Sequence, residues 1–248
     1  MVFIAHRGAS HEAPENTLAA LRLGWRQGAD AVEIDVHLSR DGHLVVIHDF
    51  STRKTAGVGR KVARQTLAQL RALEVGSWKQ EQFRGEQIPT LPEALASVPK
   101  GRRIFVEIKC GPACIPRFAN DVRFSGLQPR QVIPIGFSLE TMRAVKVALP
   151  ELEVCWVAGF RRTLRGWAPT AEKLIAHAQA AGLDGLDVGG RGPVNGAFVE
   201  KVHAAGLKLY IWTVDTPGKA RKLFAAGVDG ITTNRPGWLR AQLQRSGE

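Results

Sequence analysis

Acidic side chains interrupt two apolar segments of the chain whose composition otherwise predicts β-strands. Glu33 and Asp35 alternate with apolar residues in Ala-Val-Glu-Ile-Asp-Val, and Glu107 has the same setting in Phe-Val-Glu-Ile-Lys. A period of two places the carboxylates on one face of each strand and the apolar side chains on the other. Carboxylates about 4 Å apart repel by roughly 4 kcal/mol at an effective dielectric near 20, so such a cluster needs a cation. All-oxygen ligation favours Mg²⁺ or Ca²⁺ over Zn²⁺.

Two basic residues are predicted at the same end of the barrel as the acids. Arg7 and Lys109 supply fixed positive charge next to the acids, and they leave open an alternative in which the carboxylates form a buried ion network without a metal. The same two side chains suit the binding of a phosphate group.

Histidines end two predicted strands next to charged residues. His6 precedes Arg7 and His48 precedes Asp49, so the pair is predicted to act as general acid and general base in one site. Trp212 ends another strand, where it forms either a pocket wall or plain core.

These residues require a scaffold that brings strand ends together. Short β-rich runs alternate with Ala/Leu-rich amphipathic runs, which predicts a parallel sheet with helical crossovers. The strand candidates are Val2–His6, Ala31–His37, Leu44–His48, Ile104–Lys109, Val132–Phe137, Glu153–Ala158, Gly185–Val188, Lys208–Val214 and Gly230–Thr232. Only six residues with an Asp-Gly turn separate the second and third candidates. That connection predicts a hairpin, because parallel neighbours need a dozen or more residues. The other eight strands can all be parallel.

The residues at the ends of the predicted helices and the length of the chain both favour a single barrel. Polar caps and terminal glycines bound the predicted helices, which are Leu18–Arg26, Leu139–Ala148, Ala171–Ala181, Ala197–Ala205 and Pro217–Ala226. The 248 residues match the length of about 250 typical of an eight-fold (β/α) barrel. We therefore expect one catalytic domain over residues 1–248, with a polar insertion at about 49–89 that holds a helix at Leu67–Leu73.

Composition limits the possible partners. The chain has 34 Lys and Arg against 23 Asp and Glu, a net charge of +11, which favours anionic partners. A nucleic-acid-binding protein is therefore a rival prediction, but aromatics are only 7%, few for base stacking. The basic residues are also scattered, with no run longer than two. Examples are Arg22, Arg26, Arg60, Arg102, Arg103, Arg161, Arg162, Arg165, Arg221 and Arg240.

Targeting signals are missing from the sequence. No run approaches the roughly 20 apolar residues that cross a bilayer, and His6-Arg7-Gly8 interrupts the first apolar run, unlike a signal peptide. The three cysteines, Cys110, Cys114 and Cys155, are predicted to be buried or inert thiols. The sequence predicts a cytoplasmic protein without membrane insertion, and it leaves the oligomeric state open.

The motifs resemble the glycerophosphodiester phosphodiesterases of the bacterial cytoplasmic type. The resemblance runs from residue 4 to about 236, in the family's order, through His6-Arg7-Gly8, Pro14-Glu15-Asn16-Thr17, Glu33-Ile34-Asp35-Val36, Asp41-Gly42, His48-Asp49, Glu107-Ile108-Lys109, Trp212-Thr213-Val214 and Asp229-Gly230-Ile231. No single motif is specific, whereas the set together is.

The resemblance implies a (β/α)₈ TIM barrel with a small insertion after the second barrel strand and its hairpin. It implies one divalent cation on Glu33, Asp35 and Glu107, with His6 and His48 as the catalytic pair. It further implies that Arg7 and Lys109 hold the phosphate, that Trp212 packs against glycerol, and that the products are glycerol 3-phosphate and an alcohol. Pro14–Thr17 is interpreted as a turn and helix cap.

Two positions depart from the family pattern. Asp215 follows Trp-Thr-Val where the family usually has Asn, and Asn234 follows Ile-Thr-Thr where it usually has Asp. A rival enzyme on the same barrel is a lysophospholipase D or phospholipase C-like phosphodiesterase acting on lipid. The chain has no basic amphipathic helix with large apolar residues, so soluble substrates are favoured.

Overall fold

Eight parallel strands close into a barrel in the computed structural model, which describes residues 2–164 and 166–245. The barrel strands are β1 (Val2–His6), β2 (Ala31–Leu38), β4 (Arg103–Ile108), β5 (Val132–Gly136), β6 (Cys155–Ala158), β9 (Gly185–Gly189), β10 (Lys208–Trp212) and β11 (Gly230–Thr233). Strand β3 (Leu44–Val46) and the pair β7 (Arg161–Thr163) and β8 (Gly166–Ala168) lie outside the barrel. Arg165 and both ends of the predicted 1–248 domain fall outside the described residues.

Closure comes from strand β1, which pairs in parallel with β11 on one side and β2 on the other. Its register sets His6 beside Glu33, and the register between β2 and β4 sets Asp35 beside Glu107. Strand β3 pairs antiparallel with the end of β2, so the predicted hairpin and the TIM barrel are both confirmed.

The alternation of side chains separates two cores. Val32, Ile34 and Val36 of β2 face outward into the layer between barrel and helices. The barrel interior is filled lower down by Ile4, Phe105, Ile133, Cys155 and Tyr210, among others. Since Glu33 and Asp35 alternate with the outward residues, they lie in the interior, above this apolar layer, at the end where the strands terminate.

Helices cover the outer face of the barrel. They are α1 (Leu18–Arg26), α2 (Arg53–Ala56), α3 (Leu67–Arg71), α4 (Leu91–Ala96), α5 (Ile115–Arg123), α6 (Leu139–Ala148), α7 (Ala171–Ala180), α8 (Gly196–Ala204), α9 (Pro217–Ala226) and α10 (Pro236–Gln244). Thr17, Ser138 and Thr170 accept capping hydrogen bonds at α1, α6 and α7, as their spacing predicts. The sequence analysis did not predict α2, α4, α5 or α10. Helices α2 and α4 span only four and six residues, and α5 and α10 lack a side-chain cap at their first turn.

Residues 49–89 pack onto the hairpin edge of the barrel. Val62, Leu70 and Ile88 form a small apolar cluster with Val45 and Ile47 next to β3. The exposed β7–β8 ribbon follows β6, and the sequence did not predict it. No helix in the described ranges is long and apolar enough to cross a bilayer, and the cytoplasmic location stays a prediction.

Candidate active site

Three carboxylates converge at the carboxyl ends of β2 and β4. Glu33, Asp35 and Glu107 each place an oxygen within 4.8 Å of the other two. Glu33 and Asp35 are almost fully buried, so solvent screens their mutual repulsion only weakly. The structure therefore assembles the acidic cluster that the period-two spacing predicts.

The three carboxyls have different electrostatic surroundings. Burial, together with the charges of Asp35 and Glu107, holds the pKa of Glu33 well above its ordinary value. Burial also raises the pKa of Glu107, with Asp35 adding to the effect. For Asp35 burial acts in the same direction, but Arg7 and Lys109 outweigh it and leave its pKa lowered.

Both basic residues predicted for the site contact the acids. Lys109 Nζ lies 3.2 Å from Asp35 Oδ1 and 2.9 Å from Glu107 Oε1, and Arg7 Nε lies 3.2 Å from Asp35 Oδ2. Within residues 2–164 and 166–245, no lysine or arginine side chain forms a salt bridge with Glu33, which instead accepts a 2.9 Å hydrogen bond from the Arg7 backbone N–H. The ion network is thus real but incomplete, and the all-oxygen donor set of the cluster fits a hard divalent cation.

His6 is fixed by a chain of hydrogen bonds from the last two barrel strands. Its Nδ1 lies 2.7 Å from Asn234 Oδ1, and Asn234 Nδ2 donates to Asp215 Oδ2 at 2.6 Å. Because the amide nitrogen donates to the carboxylate, the amide oxygen must accept, which assigns the proton to Nδ1 of His6. Burial and the adjacent Arg7 charge lower the pKa of His6, so the neutral ring has Nε2 free to accept a proton.

Asp215 and Asn234, the two residues that depart from the family pattern, contact each other directly. Asp215 also accepts hydrogen bonds from Thr233 Oγ1 at 2.9 Å and from the Asn234 backbone N–H at 2.8 Å. At the two positions where the resembled family usually has Asn and then Asp, this chain has Asp215 and Asn234, and the two side chains form a hydrogen-bonded pair.

His48 lines the same pocket as His6. Its Nδ1 is 2.6 Å from Asp49 Oδ1, which leaves Nε2 for chemistry. The ring nitrogen Nε2 of His37 donates to the His48 backbone oxygen at 3.0 Å. His37 therefore holds the backbone at this position and does not itself line the pocket.

A pocket of about 340 Å³ unites these groups. Seven of the eight predicted site residues line it, namely His6, Arg7, Glu33, His48, Glu107, Lys109 and Trp212; Asp35 lies directly behind them. We call the side formed by Arg7, Glu33, Asp35, Glu107 and Lys109 the charged wall. The facing side, formed by Ile135, Phe137, Val157 and Trp212, is the apolar wall. Trp212 Nε1 donates to the Asp187 backbone oxygen at 3.1 Å, which fixes the indole on that wall.

One pocket residue gave no recognisable signal in the sequence. Asp187 projects inward from β9 and lines the pocket, and its Oδ1 is buried without a hydrogen-bond partner among the residues described. Burial, with a smaller contribution from Glu107, raises the pKa of Asp187 to about 8. A pKa of about 8 favours the protonated form at neutral pH, so Asp187 adds a polar group next to Val157 and Trp212 in the pocket.

The loop after β1 also contributes more than a helix cap. Thr17 caps α1 as predicted, whereas Asn16 Nδ2 donates to Asp35 Oδ2 at 2.9 Å. Glu15 lies 3.0 Å from Arg7 Nη1 and 2.7 Å from Lys54 Nζ. The segment therefore orients the charged wall and links it to the insertion at residues 49–89.

Sequence comparisons identify relatives of the whole chain. The model of the glycerophosphoryl diester phosphodiesterase family matches residues 6–238. The chain is 31% identical to a glycerophosphodiester phosphodiesterase of Caldanaerobacter subterraneus over 98% of each chain. It is 33% identical to a probable glycerophosphodiester phosphodiesterase 1 of Mycobacterium tuberculosis, over 97% of this chain and 92% of the relative.

Solved structures give the same result. A phosphodiesterase of Oleispira antarctica in complex with the product sn-glycerol-3-phosphate superposes with a TM-score of 0.89 at 28% identity, covering 98% of this chain and 97% of that one. A putative glycerophosphoryl diester phosphodiesterase of Silicibacter pomeroyi superposes with a TM-score of 0.87 at 26% identity, covering 100% and 94%. These matches favour the predicted family over the lipid-directed and nucleic-acid-binding rivals.

Proposed function

This chain belongs to the glycerophosphoryl diester phosphodiesterase family, and on that premise we propose that it hydrolyses glycerophosphodiesters to glycerol 3-phosphate and an alcohol. The observation that carries the proposal is the convergence of two histidines, two cationic side chains and three carboxylates on one pocket at the carboxyl ends of the barrel strands. In TIM-barrel enzymes that end of the barrel holds the active site.

Acid–base chemistry falls to the two histidines. Nε2 of neutral His6 takes a proton from the attacking oxygen, which is that of water or of the glycerol 2-hydroxyl. As the new phosphorus–oxygen bond forms, the bond to the alcohol breaks, and His48 gives its Nε2 proton to the departing oxygen. When water attacks, this step yields glycerol 3-phosphate directly. When the glycerol 2-hydroxyl attacks, it yields a cyclic phosphate, which water then opens to glycerol 3-phosphate as His48 takes the proton from water and His6 returns one to the 2-oxygen. Asp49 supports this role, because its carboxylate lies 2.6 Å from Nδ1 and so fixes the orientation of the ring and leaves Nε2 for the substrate.

Substrate binding divides between the two walls. Arg7 and Lys109 are placed to hold the phosphate oxygens, because each carries a positive charge at the rim of the carboxylate cluster. Trp212 presents an apolar surface to the carbon skeleton of glycerol. Asp187, whose Oδ1 has no hydrogen-bond partner among the described residues, supplies a nearby polar group for a hydroxyl.

The carboxylate cluster supports a dependence on one divalent cation. Glu33, Asp35 and Glu107 would hold it, and when bound it would neutralise charge on the phosphate oxygens. Oxygen donors suit Mg²⁺ and Ca²⁺ alike, so the choice between these ions stays a prediction. We further infer that residues 1–248 act as a single catalytic domain, with the segment at about 49–89 as an insertion.

The test is direct. Purified protein is incubated with glycerophosphocholine, glycerophosphoethanolamine, glycerophosphoglycerol and glycerophosphoinositol, each with Mg²⁺, Ca²⁺ or EDTA. We expect glycerol 3-phosphate from at least one diester in the presence of a cation and none with EDTA. Failure to release it from any of the four would refute the proposal.

A further inference from the structure

A second cavity opens next to the catalytic pocket on the far side of Trp212. It has a volume of about 470 Å³ and shares Trp212 and Thr213 with the catalytic pocket. Its other walls come from the loops after β6, β9 and β10 and from the first turn of α9. A substrate arm that leaves the catalytic pocket past Trp212 therefore enters this cavity.

Two basic side chains line the cavity, and no carboxylate of the described residues forms a salt bridge with either of them. Arg191 follows β9 and Lys219 lies in the first turn of α9, and neither forms a salt bridge with any residue that the structure describes. Partial burial, together with the charge of Arg191, lowers the pKa of Lys219. Two like charges held in one concave site favour an anion between them.

The nearby acid offsets this positive charge only in part, through a charge that raises the pKa of Lys219. Asp215 lines the same cavity, but its two oxygens accept three hydrogen bonds, from the Thr233 hydroxyl and from the backbone and side-chain nitrogens of Asn234. Its carboxylate is thereby committed to the chain of hydrogen bonds that ends at His6. Arg191 and Lys219 are left as the groups available to a ligand.

Glycine makes room for this arrangement. A Cβ on Gly190 would lie 2.6 Å from Lys219 Nζ, and a Cβ on Gly192 would lie 2.0 Å from the Phe160 ring. Any side chain at either position would displace the ammonium group or the aromatic wall. The position of the positive charge therefore depends on local backbone shape as well as on the residue that carries it.

We propose that this cavity binds an anionic group on the alcohol part of the substrate, either a carboxylate or a second phosphate. The proposal rests on the proposed function, since the same phosphorus–oxygen bond is cleaved and only the choice of diester is new. It makes the chain selective for glycerophosphodiesters of acidic alcohols over those of cationic alcohols such as choline.

The experiment compares kcat/KM for glycerophosphoserine, for bis(glycerophospho)glycerol, which carries a second phosphate, and for glycerophosphocholine. We expect wild type to prefer at least one of the two anionic substrates over the choline diester by about tenfold, the scale of one charge-assisted contact. A preference for glycerophosphoserine alone identifies a carboxylate site, and a preference for bis(glycerophospho)glycerol alone identifies a phosphate site.

Three variants locate the effect. Lys219→Met and Arg191→Met each should reduce the preference severalfold, and Gly190→Ala should reduce it while keeping the net charge. Lys222→Met is the matched control, because Lys222 is an exposed residue of the same helix and its loss should leave the preference intact.

Two outcomes would overturn the subsite: no preference in wild type, or an equal loss on all three substrates in the Lys219 and Arg191 variants. Absence of turnover on every substrate would instead refute the proposed function, and the subsite with it.

Discussion

The two walls of the catalytic pocket are built on opposite principles. On the charged wall, Asp35 is contacted by Arg7, Lys109 and Asn16, so nearly every charge has a partner. On the apolar wall, Trp212 is held through its indole nitrogen, and the neighbouring Asp187 carboxyl has no hydrogen bond to its Oδ1 from the described residues. The first wall is organised to hold a charged group, and the second to accept the uncharged part of a ligand.

The largest expected effect comes from breaking the charged wall. Glu33→Gln keeps the shape of the side chain but removes the carboxylate that, among the described residues, forms no salt bridge with a lysine or arginine, and it should lower kcat by about 10³-fold. That corresponds to the several kcal/mol of charge stabilisation that a bound cation supplies. Turnover with titrated Mg²⁺ or Ca²⁺ measures the effect. Glu140→Gln, on an exposed residue of α6, is the control, and full cation dependence in the Glu33 variant would contradict the metal site.

Removal of a proton carrier should have the next largest effect. His48→Ala should lower kcat by about 10²- to 10³-fold, the usual contribution of general acid–base catalysis, with KM changed much less. His177→Ala is a suitable comparison, because His177 is an exposed residue of α7 far from the pocket lining. Turnover of the His48 variant within threefold of wild type would rule out its role as the acid.

The contrast between the two walls also explains which parts of the site could be predicted from the sequence. Glu33, Asp35 and Glu107 could be found because acids alternating with valine and isoleucine violate strand preferences in a regular way. The barrel could be predicted because helix caps and connection lengths are local properties. Both kinds of signal lie within a few consecutive residues.

Signals that depend on contacts between distant segments could not be found in this way. Asp187 is a single acid flanked by apolar residues and glycine, and its lack of a partner exists only once the barrel closes. Asp215 and Asn234 are 19 positions apart and meet because β10 and β11 are neighbours. The β7–β8 ribbon is three residues per strand, too short for a periodic pattern to emerge.

A smaller effect should follow from a change outside both walls, at the residue that fixes His6. Asn234→Ala removes the oxygen that fixes the Nδ1–H form of His6 and should lower kcat about tenfold, with KM nearly constant. The double exchange Asp215→Asn/Asn234→Asp restores an acceptor for His6 and should recover most of the loss. Nitrogen-15 NMR of the imidazole reports the tautomer directly. If the single and double variants have the same kcat and tautomer, Asn234 does not position His6.

The smallest expected effect is on the free energy of unfolding, and it comes from the carboxyl of Asp187 next to the apolar wall. Asp187 has a pKa of about 8 in the folded chain, whereas an aspartate in an unfolded chain ionises near pH 3.9. Between these values the unfolded chain binds fewer protons than the folded one, so stability falls as pH rises from about 4 to about 8 and is constant above.

Asp187→Asn removes this titration. The difference in unfolding free energy between the variant and wild type should therefore shift in favour of the variant by about 2 kcal/mol between pH 5 and pH 8, after a discount for relaxation around the site. In a chain of this length that is a relative change in Tm of several degrees.

Denaturant unfolding at both pH values, in the same buffer with EDTA, measures this difference in unfolding free energy. Because Glu107 is electrostatically coupled to Asp187, the same comparison in a Glu107→Gln background separates the titration of Asp187 from that of Glu107. A difference independent of pH would show that Asp187 is ionised in the folded chain, and that a hydroxyl bound on the apolar wall meets a charge and not a neutral acid.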